Sequence, residues 1–317
     1  MTVLVLAADV DPTVDAVVEM LTRRGVPVFR CDTSWFPSRL SLDAEMTEAG
    51  WRGVLRTERR TVALEGLRSV WYRNPTTFAV SDGMSPAERW HATHEAKFGL
   101  GGVLWSLPVR WVNHPGRQAD MYKPRQLAVA QRCGIPVPAT LVTNQADAVR
   151  RFAEHHPGRM VMKPLSFGSI LEEGCRKALN THLLSRADLA DMRGVEATAH
   201  QFQRFIDKAY EVRLTVVGER MFAAAITAHS RKARIDFRAD YDALTYEIVD
   251  VPGRVADGVR AFMSHFGIVF GAFDFVVDPN GKWWLLECNP AGQYGWIEGV
   301  TGLPIASALT DLLEKGR

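Results

Sequence analysis

Cysteine is scarce and scattered. The four residues, Cys31, Cys133, Cys175 and Cys288, form no C-x-x-C pair, which argues against a disulfide framework or a zinc knuckle and fits reduced thiols in a reducing compartment. An excess of either charge is also missing. Lys and Arg number 38 against 36 Asp and Glu, a formal net charge of +2. No global field therefore draws in nucleic acid or an anionic membrane, and neither is expected as a partner. No apolar run reaches the roughly 20 residues that cross a bilayer. The opening MTVLVLAADVDPTVDAVVEML has neither a basic n-region nor a small-residue cleavage site, so the expected location is cytoplasmic. Two nucleotide signatures are lacking as well. AADVDP stands where G-x-G-x-x-G would follow the first apolar run, and G-x-x-x-x-G-K-[ST] occurs nowhere. Internal repeats and low-complexity linkers are absent too.

What is present is a globular composition, 47% hydrophobic and 23% charged over 317 residues. It is not that of a disordered chain, and it suffices for two or three domains. Residues 2–8 read as a buried parallel strand. Asp11 and Thr13 offer N-caps to the amphipathic DAVVEMLTRRG, which Gly25 closes, and VPVFRCD follows as a second strand. This is a β-α-β opening. LSLDAEM, GWRGVLRT, RTVALEG and SVWYR read as strands, and SPAERWHATHEAKFGLGGVLWSL as a helix capped by Ser85 with Pro86 at its first position. The HATHE within it is neither H-E-x-x-H nor its inverse, and reads as a solvated face.

A boundary falls near WVNHPGRQAD (111–120), giving an N-terminal α/β domain over 1–115, a central unit over 116–200 and a C-terminal unit over 201–317. YKPRQLAVAQRCG reads as a helix, IPVPATLVT as extended, ADAVRRFAEHH as a helix and GRMVMKPLS as a strand. Past residue 200 the chain is strand-rich: HQFQRFI, EVRLTVVG, RMFAAAITAH, YEIVDV, IVFGAFDFVVD and KWWLLECN, closed by a helix in LPIASALTDLLEKG. DPNG (278–281), lying between apolar runs, makes the last two strands an antiparallel hairpin.

That hairpin carries the chemistry. Alternation puts Phe273, Phe275 and Val277 on one face and Asp274 on the other, while Glu287 and Asn289 share a face. Three oxygen-bearing side chains then converge, a donor set that suits Mg²⁺ held together with substrate phosphates. The bland alternative is that Glu287 pairs with a nearby Arg and Asn289 caps the turn before Pro290. Lys163, at the end of an apolar strand beside the SFGS loop (166–169), is badly placed for a merely solvated lysine, and the loop amides could cradle phosphate. Lys123 starts a helix, where it could equally be a surface lysine. Gln203, Phe205 and Ile206 sit at a junction suited to an adenine edge. Arg213 lies inside an apolar strand and needs an anion, with Glu211 on the same face as the structural alternative.

The order of these features resembles the ATP-grasp fold, and more narrowly the ATP-grasp ribosomal peptide maturases, the macrocyclases of microviridin-type graspetides. The narrow resemblance rests on VWYRNP (70–75), WVNHP (111–115), YKPRQLAVAQRCGIPVPATLVTN (122–144), IDFRAD (235–240) and ECNPAGQYGWIE (287–298). It implies an α/β (α+β) chain, an ATP-grasp fold behind a Rossmann-like pre-ATP-grasp domain. It implies that Lys123 and Lys163, with Ser166 and Gly168, bind ATP phosphates. Gln203 to Ile206 would hold adenine, with Asp207 near the ribose. Asp274, Glu287 and Asn289 would hold Mg²⁺, and Arg213 would steady the transferring phosphoryl group. Asp236 and Arg238 match a D-x-R motif whose arginine meets the acidic substrate side chain; Asp236 is also a candidate base. The implied partner is a ribosomal precursor peptide with a leader and an acidic core, the implied assembly a homodimer, and segment 185–194 a candidate leader surface. The rivals are an ATP-grasp ligase joining separate molecules and a non-catalytic nucleotide-binding module. Ester and amide linkage stay equally open.

Overall fold

The apolar opening run is β1 (Thr2–Ala7), buried at all but its first residue, as a strand covered on both faces must be. The structure, a computed structural model, describes residues 1–166, 169–172 and 175–316. Helix α1 (Pro12–Arg23) begins where Asp11 Oδ1 accepts from Thr13 N at 3.0 Å and Val14 N at 3.3 Å. It ends at Gly25, whose φ of +71° only glycine adopts cheaply. Then follow β2 (Val28–Cys31), a three-stranded antiparallel sheet of β3 (Leu40–Thr47), β4 (Gly50–Thr57) and β5 (Thr61–Ala63), β6 (Leu67–Arg73), α2 (Pro86–Trp105) and β7 (Arg110–Val112). A Ser85–Glu88 capping box starts α2.

Strands β2-β1-β6-β7 form a parallel sheet in that order. The connections run to opposite sides of β1, so the carboxyl ends of β1 and β6 flank the crevice where open α/β sheets take ligands. Here the chain's own loop fills it. Arg73, at the end of β6 and 2% exposed, donates to Ala291 O, and Thr13 Oγ1 meets Gln293 Oε1 at 3.2 Å.

The middle of the chain supplies α3 (Pro115–Ala119), α4 (Lys123–Arg132), β8 (Thr140–Thr143), α5 (Ala146–His155), β9 (Met160–Lys163), a hairpin of β10 (Ser169–Glu172) and β11 (Cys175–Ala178), β12 (His182–Leu183), α6 (Arg186–Ala190) and β13 (His200–Arg204). Strands β12-β9-β13-β8 make an antiparallel sheet over a small core of Val149, Met160, Met192, Val195 and Phe202. In the 185–194 segment, Asp188 caps α6 through Ser185 N at 2.7 Å, and Asp191 pairs with Arg193 at 2.5 Å.

The last third is a five-stranded antiparallel sheet, β16 (Leu244–Ile248), β15 (Arg220–Ala228), β14 (Tyr210–Val217), β17 (Phe270–Val277) and β18 (Trp283–Asn289), with helices α7 (Gly253–Phe266), α8 (Gly295–Thr301) and α9 (Ile305–Lys315). Helix α7 is missing from the sequence reading, although Val255, Val259, Phe262 and Phe266 recur at helical spacing and Gly267 caps it in the left-handed region. It lies between two apolar strands, where a continuous strand pattern hides it. Helix α4 shares its core with this sheet: Val129 and Ala130 pack among Val212, Leu214 and Phe273. Helix α9 packs on the N-terminal sheet, and Ser69 Oγ donates to Leu313 O at 2.8 Å. Cys31 and Cys288 are buried, and all four cysteines are free. Among the described residues no helix is long and apolar enough to cross a membrane.

Candidate active site

A cleft of about 650 Å³ opens between the β9/β13 edge of the middle sheet and the β14-β17-β18 face of the last one. Its acidic floor depends on a bulge. Trp283 and Leu285 of β18 point into the core with Phe273, Phe275 and Val277. Strict alternation would send Glu287 there too. Instead the register shifts between Asp274 and Phe275: Asp274 faces Glu287 while Phe275 faces Leu285. Leu286 is the extra residue, and after it Glu287 and Asn289 turn to the cleft while Cys288 enters the core. A one-residue slip flips every side chain beyond it.

On the same face, Arg213 Nη1 meets Asp274 Oδ1 at 2.6 Å and Arg213 Nη2 donates to Gln293 O at 2.8 Å. Arg213 therefore pairs with Asp274; the Glu211 alternative is excluded because Lys208 takes Glu211 at 2.5 Å. Lys123 is no surface lysine. From the first turn of α4 its Nζ reaches Glu287 Oε2 at 3.0 Å and donates to Pro164 O at 2.8 Å. Lys163 Nζ donates to Gln203 Oε1 at 3.0 Å, and desolvation, partly offset by Glu287, pushes its ammonium down to about 8. The two carboxylates diverge. Burial, reinforced by Glu287, raises Asp274 above the usual carboxylate range despite Arg213. Burial acts against Glu287 as well, but Lys123 and Lys163 outweigh it and hold that carboxyl low.

Asp274 Oδ2 takes only the Asn289 amide, at 3.3 Å, and Glu287 Oε1 has no partner among the described residues. Two carboxylate oxygens and a reversible amide thus face the cleft beside four cations. That set fits a hard divalent cation shared with phosphates. Among the described residues there is no group of three His, Cys, Asp or Glu placed to hold a metal ion.

The other sequence-derived residues divide. Ser166, Gln203, Phe205 and Ile206 line the cleft with Lys123 and Lys163. Gly168 lies outside the described residues. Asp207 does not line the cleft but pairs with Arg159 at its rim, 75% exposed. Arg238 and Asp236 are joined as a fork, Nε to Oδ1 at 2.9 Å and Nη2 to Oδ2 at 2.6 Å, and Asp236 also accepts from Thr181 N at 3.2 Å. Burial opposes ionisation of Asp236, but Arg238 overcomes it and holds the carboxyl at about 2.

Sequence reasoning missed the supports. Asn113, 1% exposed, donates to Phe270 O and Pro290 O, each at 2.7 Å, and accepts from Val269 N at 2.8 Å and Phe270 N at 3.1 Å. Gln126 brackets Cys288, donating to its carbonyl at 3.0 Å and accepting from its N–H at 2.7 Å. With Arg73 on Ala291 O and Arg213 on Gln293 O, side chains from β6, α4, β14 and the β7–α3 loop grip residues 288–293. Polar residues in otherwise apolar surroundings were the available signal. The missed cleft wall is aromatic: Phe237 stacks on Trp296 at 5.9 Å, with Tyr241 beside them.

Residues 2–118 match the MvdD pre-ATP grasp domain. A RiPP-associated ATP-grasp ligase from Chryseobacterium gregarium, solved with ADP and a leader and core peptide, superposes with a TM-score of 0.91 at 25% identity over 99% of this chain and 96% of that one. The macrocyclase MdnC of Microcystis aeruginosa MRC, bound with precursor peptide MdnA, gives 0.87 at 27% identity over 99% of this chain and 100% of that one. Residues 2–118 thus carry the pre-ATP-grasp domain, and the chain is similar along nearly its whole length to ATP-grasp ligases of ribosomal peptides. The macrocyclase MdnB of the same organism is also similar, with a TM-score of 0.81 and 28% identity over 98% of each chain. No curated protein matches the sequence. The match to the pre-ATP-grasp domain ends three residues past Pro115, and two of the four side chains gripping 288–293, Arg73 and Asn113, come from it.

Proposed function

We propose that this protein uses ATP to activate Glu or Asp side chains of a ribosomally made precursor peptide and closes side-chain ester or amide macrocycles. One observation carries the reading. Lys123, Lys163, Arg213 and Arg238 meet two carboxylates and an amide in one cleft, in a chain similar along nearly its full length to peptide-bound ligases.

A carboxylate oxygen attacks the γ-phosphorus of ATP, giving an acyl phosphate and ADP. A hydroxyl or amine then attacks the acyl carbon, phosphate leaves, and the nucleophile surrenders its proton. The protein's work is positioning and charge neutralisation. Lys123 and Lys163 would bind the phosphates, and Phe205 and Ile206 would flank adenine. Gln203 would act through Lys163, since its Nε2 is committed to Thr140 Oγ1 at 2.9 Å. Asp274, Glu287 and Asn289 would hold Mg²⁺, which when bound offsets triphosphate charge. Arg213 would face the transferring group from behind Asp274. Arg238 would present the substrate carboxylate, with Asp236 fixing its plane. A carboxyl held at about 2 is a poor proton acceptor at neutral pH, which favours this orienting role over that of a base.

Incubation with an acidic, leader-bearing peptide should release ADP and remove the mass of one water per link. A gain in acceptor mass would instead indicate a ligase that joins separate molecules. Arg238→Lys keeps the charge but loses the fork to Asp236. It should raise KM for the peptide about tenfold and leave KM for ATP unchanged; an unchanged peptide KM would remove Arg238 from substrate binding. Lys163 gives a pH signature. As pH rises through about 8 the free enzyme loses this ammonium, so KM for ATP should climb on the alkaline side. Lys163→Met should have a high KM that lacks that limb, measured by steady-state ADP release from pH 6.5 to 9.5.

A further inference from the structure

A second cavity, of about 840 Å³, opens beside the edge strand β2 and the turn between β4 and β5. Five of the residues lining it are arginines, Arg30, Arg39, Arg56, Arg59 and Arg60, and only Glu58 is acidic, in a chain whose net charge is +2. Arginines on a convex surface are merely solvated. In a concavity they share low-dielectric walls, which focus the field on whatever enters. Two of the five are fixed by the fold. Arg30 pairs with Asp15 and donates through Nη2 to Ala8 O at 2.9 Å and Asp9 O at 3.0 Å. Arg39 lies over the Trp35 ring at 4.4 Å, and Asp9 braces both, accepting from Trp35 Nε1 at 2.9 Å and standing 3.7 Å from Arg39 Nη1. Arg60 Nη1 reaches Val28 O at 3.4 Å, and Arg56 and Arg59 have no carboxylate partner among the described residues. The pocket shares no lining residue with the reaction cleft, yet one short segment joins them. Asn74 lines the cleft. Two residues on, Thr76 is held by Asp32 through its N and Oγ1, each at 2.7 Å, and Phe78 packs on Phe36, the neighbour of Trp35.

We propose that this pocket grips a second, acidic stretch of the peptide substrate while the reacting carboxylate sits in the cleft. The identity of the ligand rests on the peptide reading of the cleft; its charge rests on the pocket alone. Guanidinium forks take carboxylates bidentately. The five stand on separate segments, at 30, at 39 and over 56–60, so they match several carboxylates spaced along a chain. A lone phosphate would need them converged on one point. Each exposed pair is weak and screened by salt, but several on one chain act together. Arg56 and Arg59 supply the uncommitted charge, while Arg30 and Arg39 shape the wall. A grip made outside the cleft is equally strong before and during the reaction, and binding of that kind lowers KM without raising kcat.

Fluorescence anisotropy of labelled hexaglutamate on the full chain, with saturating ADP and Mg²⁺ in the cleft, tests the pocket without turnover. The peptide should bind at low salt and be released at high salt. Arg56→Glu with Arg59→Glu should weaken it at least about tenfold and keep the wild-type melting temperature, since neither side chain has a partner to lose. The same reversal at Arg150 and Arg151 of α5 should change nothing. With a leader-bearing acidic peptide, the 56/59 pair should raise KM for the peptide about tenfold and leave kcat and KM for ATP at wild-type values. Hexaglutamate binding that survives the 56/59 reversal, that falls equally with the 150/151 reversal, or that is exceeded by a thymidine oligonucleotide of equal charge would overturn the proposal. So would an unchanged peptide KM. Failure of the ligase reading looks different: hexaglutamate would still bind through Arg56 and Arg59, and no acidic peptide would release ADP.

Discussion

Glu287→Gln should lower ADP release by about three orders of magnitude while nucleotide binding stays measurable. The substitution keeps the shape and removes one negative charge from a site built around it. Glu287 faces Asp274 across the bulge and takes Lys123 at 3.0 Å. Without it Lys123, Lys163 and Arg213 face Asp274, since Asp236 is taken by Arg238 and Glu211 by Lys208. A divalent cation would then add to an existing excess of positive charge, and its binding should weaken severely. Losses of about 10²–10³ accompany removal of one electrostatic contact in comparable sites, and Glu287 makes more than one. The triphosphate itself should still bind, since the lysines remain. ADP release followed with and without added Mg²⁺, beside calorimetric titration with ATP, separates the two terms. A variant within tenfold of wild-type turnover would remove Glu287 from the reaction.

The second large effect is expected at Asn113, which does not itself line the cleft and reaches it only through the Pro290 carbonyl. Its amide donates to Phe270 O and Pro290 O and accepts from Val269 N and Phe270 N. Asn113→Asp preserves volume but sets a carboxylate oxygen against two carbonyls. A buried group left facing like polarity costs several kcal/mol. The melting temperature should fall by roughly 5–10 °C. The decisive readout is different: the Mg²⁺ concentration for half-maximal ADP release should rise about tenfold, because Pro290 follows Asn289 directly. Ser69→Ala gives the control. Ser69 makes an equally buried bond to Leu313 O at the same domain contact, away from the 288–293 segment. It should lower the melting temperature and leave the Mg²⁺ requirement alone. Equal Mg²⁺ requirements in the two variants would reduce Asn113 to a packing residue.

These two residues mark how far the sequence could be read. Glu287 stood out because a carboxylate is costly at the end of a run such as WWLL, and DPNG placed it beside Asp274. Asn113 sits in a motif that carried the family resemblance, yet its task is invisible locally, since all four of its hydrogen bonds cross more than 150 residues. Lys123 shows the same limit. At a helix start it reads equally well as a solvated lysine, and only the packing of α4 against β18 puts its Nζ on Glu287. Helix α7 failed for another reason: its periodic apolar residues lie between two strands of similar composition.

By itself the sequence determined the strand and helix periods, the caps at Asp11 and Ser85, the Asn-Gly hairpin and the residue types of the site, because each is set by neighbours within a few positions along the chain. Tertiary structure decided which way those residues face. One inserted residue, Leu286, turns Glu287 from the core to the cleft, and the pairing of Arg213 with Asp274 over Glu211 depends on Lys208 holding Glu211. Register and charge pairing are set by distances in space, which local sequence does not encode.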